Sequence, residues 1–154
     1  VLPLLDRIDH VGIACRDLDA TVALYRATFG LEVASLEVNE EQGVREAMLR
    51  AGPAAAGLRA GSPAAGAAGP GYVQLLQPLA PDTPVGRFLA RRGEGLHHVG
   101  YGVADIGQAL AAVAAAGIRL LDERPRHGSM GASIAFLHPG DLGGVLTELV
   151  QAAR

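Results

Sequence analysis

Ile8-Asp9-His10-Val11-Gly12 and Leu96-His97-His98-Val99-Gly100 each set a histidine inside a short apolar run of strand type. An imidazole in such a run is either a satisfied core residue or a metal ligand. A single copy favours the core reading; two copies at matching places in a repeated unit favour ligation. The match extends outward from the histidines. Ile8 to Cys15 reads as a strand, and Asp17 caps a predicted helix whose apolar residues Leu18, Val22, Tyr25 and Phe29 recur at helical spacing until Gly30 ends it. In the second copy a strand from His97 to Val103 is followed by Asp105, by Ile106, Leu110 and Val113 on one helical face, and by Gly117 as the stop. The offset is 88 residues from His10 to His98 and again from Asp17 to Asp105, which identifies an internal repeat.

The remaining elements fall into the same pattern. Leu31 to Val38 and Val44 to Leu49 read as strands joined by the polar turn at Asn39 to Gly43, and Tyr72 to Leu76 closes the first half. Ile118 to Leu121, Ser133 to Leu137 and Val145 to Val150 are the predicted counterparts in the second half. Thr83-Pro84 opens a linking helix, threonine as cap and proline at the first helical position, with Val85, Phe88 and Leu89 on its apolar side. Pro53 to Pro70 is almost all Ala, Gly, Pro and Ser, a composition that reads as a mobile loop or extended hairpin tip, dispensable for chemistry.

The last strand of each half carries one polar residue in an apolar run, Gln74 in Val73-Gln74-Leu75-Leu76 and Glu148 in Thr147-Glu148-Leu149-Val150. If the two sheets curl around a shared cleft, the first and last strands of each half deliver His10, Gln74, His98 and Glu148 to one point. Two imidazoles, one amide oxygen and one carboxylate, without thiolate, suit a divalent cobalt, manganese, nickel, zinc or iron ion. The predicted fold class is α+β: two tandem β-α-β-β-β modules, about 6–78 and 95–151, joined by a linking helix at about 83–92. Together they form one domain over 1–154, a curved mixed sheet around a metal-containing cleft.

Composition narrows the function classes. The chain of 154 residues is 49% apolar with a formal charge of −3 and an isoelectric point near 5.9, which argues against a basic nucleic-acid binder. Its single cysteine, Cys15, excludes an intramolecular disulfide framework and suits a reducing cytoplasm, the expected location. Val1 to Leu5 shows no signal peptide, because the apolar run stops at Asp6-Arg7, and no apolar run is long enough to span a bilayer. Apolar strand edges make a homodimer the expected assembly.

The repeated unit with one ligand at each end of each half resembles the vicinal-oxygen-chelate superfamily, the glyoxalase, bleomycin-resistance and dioxygenase group, over essentially the whole chain. Within it the sequence is most similar to the methylmalonyl-CoA epimerase family. The matches are Ile8-Asp9-His10-Val11, Glu41-Gln42-Gly43-Val44-Arg45-Glu46, Val73-Gln74-Leu75-Leu76, Gly95-Leu96-His97-His98, Ile134-Ala135-Phe136-Leu137-His138-Pro139 and Gly144-Val145-Leu146-Thr147-Glu148-Leu149. The resemblance implies that His10, Gln74, His98 and Glu148 bind a divalent metal ion, cobalt first with manganese, nickel or zinc after it, and that Glu46 is a catalytic base with Glu148 as the second. It implies an acyl-CoA substrate, and epimerisation of (2R)- and (2S)-methylmalonyl-CoA through a metal-stabilised thioester enolate. The long insertion at Pro53 to Pro70 is the departure.

The residues support this chemistry independently. Four protein ligands on an octahedral ion leave two positions for a chelating substrate, and one carboxylate on a divalent ion leaves a net positive charge that favours an anionic chelate. Glu46 shares a strand face with Val44 and Met48, apolar neighbours that raise a carboxylate pKa toward the working pH. The glycine-punctuated loop Arg126 to Ser133 offers backbone N–H groups at Gly128, Ser129 and Gly131 to a carboxylate or thioester, and His138 before Pro139 is a further candidate for substrate binding. His97 is expected on the opposite strand face from His98 as a structural residue. Arg87, Arg91 and Arg92 read as a solvated basic face that coenzyme A phosphates can also meet. A glyoxalase-type lyase or isomerase shares the scaffold, although Gln74 stands where an acidic ligand is usual. An extradiol-type dioxygenase needs only two histidines and one carboxylate. A non-catalytic resistance protein of the same fold typically lacks the metal set.

Overall fold

A computed structural model describes residues 4–52 and 71–154; the insertion at 53–70, on which the loop expectation falls, lies outside the described residues. The first half runs β1 (Arg7–Ala14), α1 (Leu18–Phe29), β2 (Glu32–Asn39), β3 (Val44–Ala51) and β4 (Gly71–Pro78). The helix α2 (Pro84–Arg92) leads to β5 (Gly95–Gly102), α3 (Ile106–Ala115), β6 (Arg126–His127), β7 (Ser133–Leu137) and β8 (Thr147–Gln151).

The eight strands form one mixed sheet in the order β2-β3-β4-β1-β5-β8-β7-β6. β1 pairs in parallel with β4, and β5 in parallel with β8. The halves meet where β1 and β5 run antiparallel, with Val11 opposite Val99, His10 opposite Gly100 and Gly12 opposite His98. That register is a local two-fold axis through Val11 and Val99, and it is the structural meaning of the 88-residue offset between His10 and His98.

Local chemistry repeats with it. Asp17 accepts the N–H of Ala20 and Asp105 that of Gln108, capping α1 and α3 as the sequence predicts. The next free helix N–H is satisfied from the last strand of the same half: Gln77 Oε1 accepts from Leu18 N at 2.7 Å and Gln151 Oε1 from Ile106 N at 2.9 Å. Helix α1 packs Leu18 on Ala47, Leu49 and Leu75; α3 packs Ile106, Ala109 and Leu110 on Ala135, Leu137 and Leu149. Each fully buried leucine contributes about 1.5–3 kcal/mol. Helix α2 sets Val85 and Leu89 on Ala14, Val44 and Leu76, and so closes one end of the groove.

The second half departs from the predicted pattern at its second strand. Ile118 to Leu121 is not a strand; it holds a single bridge between Leu120 and Leu137. The ladder ends there because Asp122 turns its side chain onto the Phe136 N–H at 2.9 Å and Pro125 has no N–H to offer. A two-residue strand, β6, pairs with β7 instead. Val145 and Leu146 are also outside β8, preceded by Gly143 and Gly144 at positive φ.

The outer strands approach each other across the groove. Asn39 Nδ2 and Gln42 Nε2 both donate to the His127 carbonyl at 3.2 Å, Arg126 meets Glu41 at 3.1 Å, and the Met130 N–H meets the Glu37 carboxylate at 3.2 Å. These contacts between residues 85 to 93 apart bring the 3₁₀ turn Ser129–Gly131 over the groove.

Candidate metal and acid–base site

Two neighbouring rows across the sheet carry the donors. One row reads Met48, Gln74, Gly12, His98 and the other Tyr72, His10, Gly100, Glu148, Phe136. Each glycine lies between two donors, and its missing side chain is what admits them. A Cβ on Gly12 would collide with the His98 ring, and one on Gly100 with the His10 ring. The pattern His-x-Gly, present in both halves, was thus a legible signal that sequence reasoning left unused.

The ligand atoms of His10, His98 and Glu148 all lie within 4.8 Å of one another. His10 Nε2 is 2.9 Å from His98 Nε2 and 3.0 Å from Glu148 Oε2. All are buried, with Glu46 retaining 1% of its accessible surface, His98 and Glu148 3%, His10 4% and Gln74 5%. Gln74 Nε2 donates to Glu46 Oε2 at 2.7 Å and to Ser129 Oγ at 3.0 Å. That leaves Gln74 Oε1 and Glu46 Oε1 buried without a hydrogen-bond partner. Each such oxygen costs about 1–3 kcal/mol. An orphaned amide oxygen beside two facing imidazole nitrogens and a carboxylate is the arrangement a divalent cation satisfies, so the residues fit the metal expected from sequence.

The residue before each histidine holds its ring. Asp9 Oδ1 accepts from His10 Nδ1 at 3.0 Å, and Asp9 is itself held by Arg7 at 2.7 Å. His97 Nδ1 meets His98 Nδ1 at 2.9 Å, so His97 is in contact with the site and not apart from it. Neither Asp9 nor Arg7 was singled out in the sequence; a histidine partner in the adjacent position is a signal only once both copies are aligned.

Electrostatics divides the titratable groups. Burial opposes a charged His10, but Asp9 and Glu148 outweigh it and hold its pKa up at about 9. Burial pushes His98 well below the ordinary histidine value, with His10 and His97 adding to it. Burial raises Glu46; the Ser129 hydrogen bond opposes this, and the negative charges of Glu37 and Glu148 add to it. Glu148 is also raised by burial, against the pull of His10.

A cavity of about 340 Å³ opens onto His10, Gln74, Ser129 and Glu148, walled by Met48, Tyr72 and other apolar side chains. Three backbone donors of the turn above it have partners: Gly128 N bonds Ala132 O, Ala132 N bonds Ser129 O, and Met130 N bonds Glu37 of β2. The turn presents the Ser129 hydroxyl to the site, while Gly128 clears the Ile134 side chain and Gly131 supplies a positive φ of 73°. Met130 also has positive φ, 56°, a strain of about 1–3 kcal/mol that its N–H bond to Glu37 helps hold. His138 accepts the Gly140 N–H and lines a second groove, which also reaches His97 and His98, with Arg87, Arg91 and Arg92, all three exposed.

A model of the glyoxalase/bleomycin resistance protein/dioxygenase superfamily matches residues 9–136. An ethylmalonyl-CoA/methylmalonyl-CoA epimerase of Cereibacter sphaeroides is 33% identical over 150 residues, 96% of this chain and 99% of its own. A methylmalonyl-CoA epimerase solved with methylmalonyl-CoA and NH4+ is 53% identical, with a TM-score of 0.85 over 97% of this chain and 96% of its own. A variant of the Streptomyces coelicolor methylmalonyl-CoA epimerase, solved with 2-nitronate-propionyl-CoA, is 52% identical, with a TM-score of 0.86 over 97% of this chain and 99% of its own. With the duplicated sheet and the buried donor cluster, these likenesses establish that the chain belongs to the glyoxalase/bleomycin resistance protein/dioxygenase superfamily and, within it, to the methylmalonyl-CoA epimerases.

Proposed function

We propose that this enzyme interconverts (2R)- and (2S)-methylmalonyl-CoA, with Glu46 and Glu148 as the acid–base pair and His10, Gln74, His98 and Glu148 as the ligands of a divalent ion, cobalt first and manganese, nickel or zinc after it. The carrying observation is that two buried carboxylates from opposite halves of the repeat converge on one donor cluster. When bound, the ion would supply Lewis-acid polarisation of the thioester carbonyl, worth several kcal/mol.

The chain's own groups do the rest. The Glu46 carboxylate takes the α-proton at one face; the electron pair of the broken C–H bond passes into the thioester carbonyl, and a proton returns to the α-carbon at the other face from Glu148. The same groups work in reverse for the other epimer. A two-base reaction needs one carboxylate charged and its mate protonated, and burial holds Glu46 above the ordinary carboxylate value, as suits a group that takes up and returns a proton. Gln74 and Ser129 hold Glu46 in place, and Met48 and Tyr72 limit water around the reacting carbon. Ser129, supported by Gly128 and Gly131, offers its hydroxyl to the substrate.

A homodimer in the cytoplasm completes the proposal. Ile8 and Leu96, on the two central strands, are exposed apolar side chains, and the lone Cys15 is buried and free. No described helix is long and apolar enough to cross a membrane. The test of function is exchange of the α-proton with deuterated water, with each methylmalonyl-CoA epimer supplied separately. Epimerisation with solvent deuterium incorporated is expected; no exchange and no epimerisation by metal-loaded protein would overturn the reading.

A further inference from the structure

We infer that His97 is a positioning residue that holds His98 in the tautomer able to bind the metal, the part that Asp9 plays for His10. The inference rests on the proposed ligand role of His98.

A neutral imidazole binds a metal through the nitrogen that carries no proton, so its other nitrogen carries one and needs an acceptor. His98 turns Nε2 toward His10 and Glu148, at 2.9 and 3.8 Å. Binding through that nitrogen puts the proton on Nδ1, and Nδ1 faces His97 Nδ1 at 2.9 Å. One proton serves that contact. His97 must then present a bare Nδ1 and carry its own proton on Nε2.

The surroundings keep His97 in that role. The Phe88 ring stands edge-on at 4.9 Å and fixes the imidazole from the linking helix. With Asp9 accepting from His10 Nδ1, both ligand histidines point the same nitrogen, Nε2, into the site. The two acceptors differ in charge: a carboxylate behind His10 and a neutral ring behind His98. The second half thereby orders its ligand without adding another negative charge to a site that already contains Glu148.

The experiment measures Co²⁺ affinity by titration of the metal-free protein, and reads histidine tautomers from two-bond ¹H–¹⁵N correlations without metal. The chain has five histidines, which makes assignment by substitution practical. In the wild type, His98 is expected with its proton on Nδ1 and His97 with its proton on Nε2. His97→Leu should weaken Co²⁺ binding about 10–100-fold, the usual effect of losing the partner behind a ligand histidine, and should leave His98 in mixed tautomers. His97→Asn places an amide oxygen near the lost Nδ1 and should recover most of the affinity. Wild-type His98 protonated on Nε2 overturns the inference, whether or not either variant folds. So does His97→Leu with unchanged affinity and tautomer. His98→Ala separates this from the ligand assignment itself: if that variant binds Co²⁺ as tightly as wild type, His98 is not a ligand and the site reading fails first.

Discussion

The two halves of the molecule share a backbone and differ in chemistry at corresponding places. Gln74 of the first half corresponds to Glu148 of the second. The strand registers carry the correspondence further, because Glu46 pairs with Leu76 and Met48 with Gln74, as Ile134 pairs with Val150 and Phe136 with Glu148. Glu46 thus has Ile134 as its mate, Met48 has Phe136, and Asp9 has His97. Duplication alone would have put equal groups on both sides of the local two-fold axis. The differences yield one carboxylate beside the donor cluster from the first half and one within it from the second, the asymmetry that proton transfer at two faces requires.

Removing what the halves share should have the largest effect. His10→Ala and His98→Ala are each expected to abolish metal binding and epimerisation together, read by metal analysis of the purified variants alongside turnover. Full occupancy with near wild-type turnover in either would break the symmetric ligand assignment.

Removing what they do not share should separate binding from chemistry. Glu46→Gln keeps the side-chain shape, and is expected to retain metal and substrate while epimerisation falls about 10²–10⁴-fold, the scale of a positioned general base. Deuterium exchange should disappear mainly from the epimer whose α-proton faces Glu46. Unchanged exchange from both epimers would leave Glu148 or water as the base.

The paired glycines test the symmetry of the backbone. Gly12→Ala and Gly100→Ala each drive a Cβ into the opposite half's histidine ring. Each should cost about 1–3 kcal/mol of stability, the usual effect of overpacking, measured by denaturant unfolding of the metal-free protein. A loss confined to one variant would show that the halves yield unequally.

The smallest effect concerns a residue of the first half alone. Glu46 is held above the ordinary carboxylate value by burial, with the charge of Glu37 contributing, so the rising acid limb of kcat/KM should lie above the range of an ordinary glutamate. Glu37→Gln keeps an acceptor for the Met130 N–H and removes a negative neighbour. Loss of that charge favours ionised Glu46, so the limb should move to lower pH. A move to higher pH would contradict the assignment of that limb to Glu46.

Much of this was legible in the sequence because it is periodic. The 88-residue spacing of His10 and His98, the caps Asp17 and Asp105 and the helix stop Gly30 are local or repeated signals, and they determine strand, helix and candidate ligand before any packing is known. Tertiary structure decided what depends on registers between distant segments. The strand predicted at Ile118 to Leu121 was lost to the Asp122 side chain and Pro125. Of the backbone amides expected to hold substrate, at Gly128, Ser129 and Gly131, that of Gly128 is turned onto the Ala132 carbonyl, and the turn is tied down by the Met130 N–H on Glu37, a contact that forms only when the two ends of the sheet approach. His97 was expected to turn away by strand alternation, yet its ring reaches His98 beside it and meets Phe88 of the linking helix. A side chain's type and spacing set what it can do; its proton, partner and dielectric surroundings come from chain segments that meet it only in the folded state.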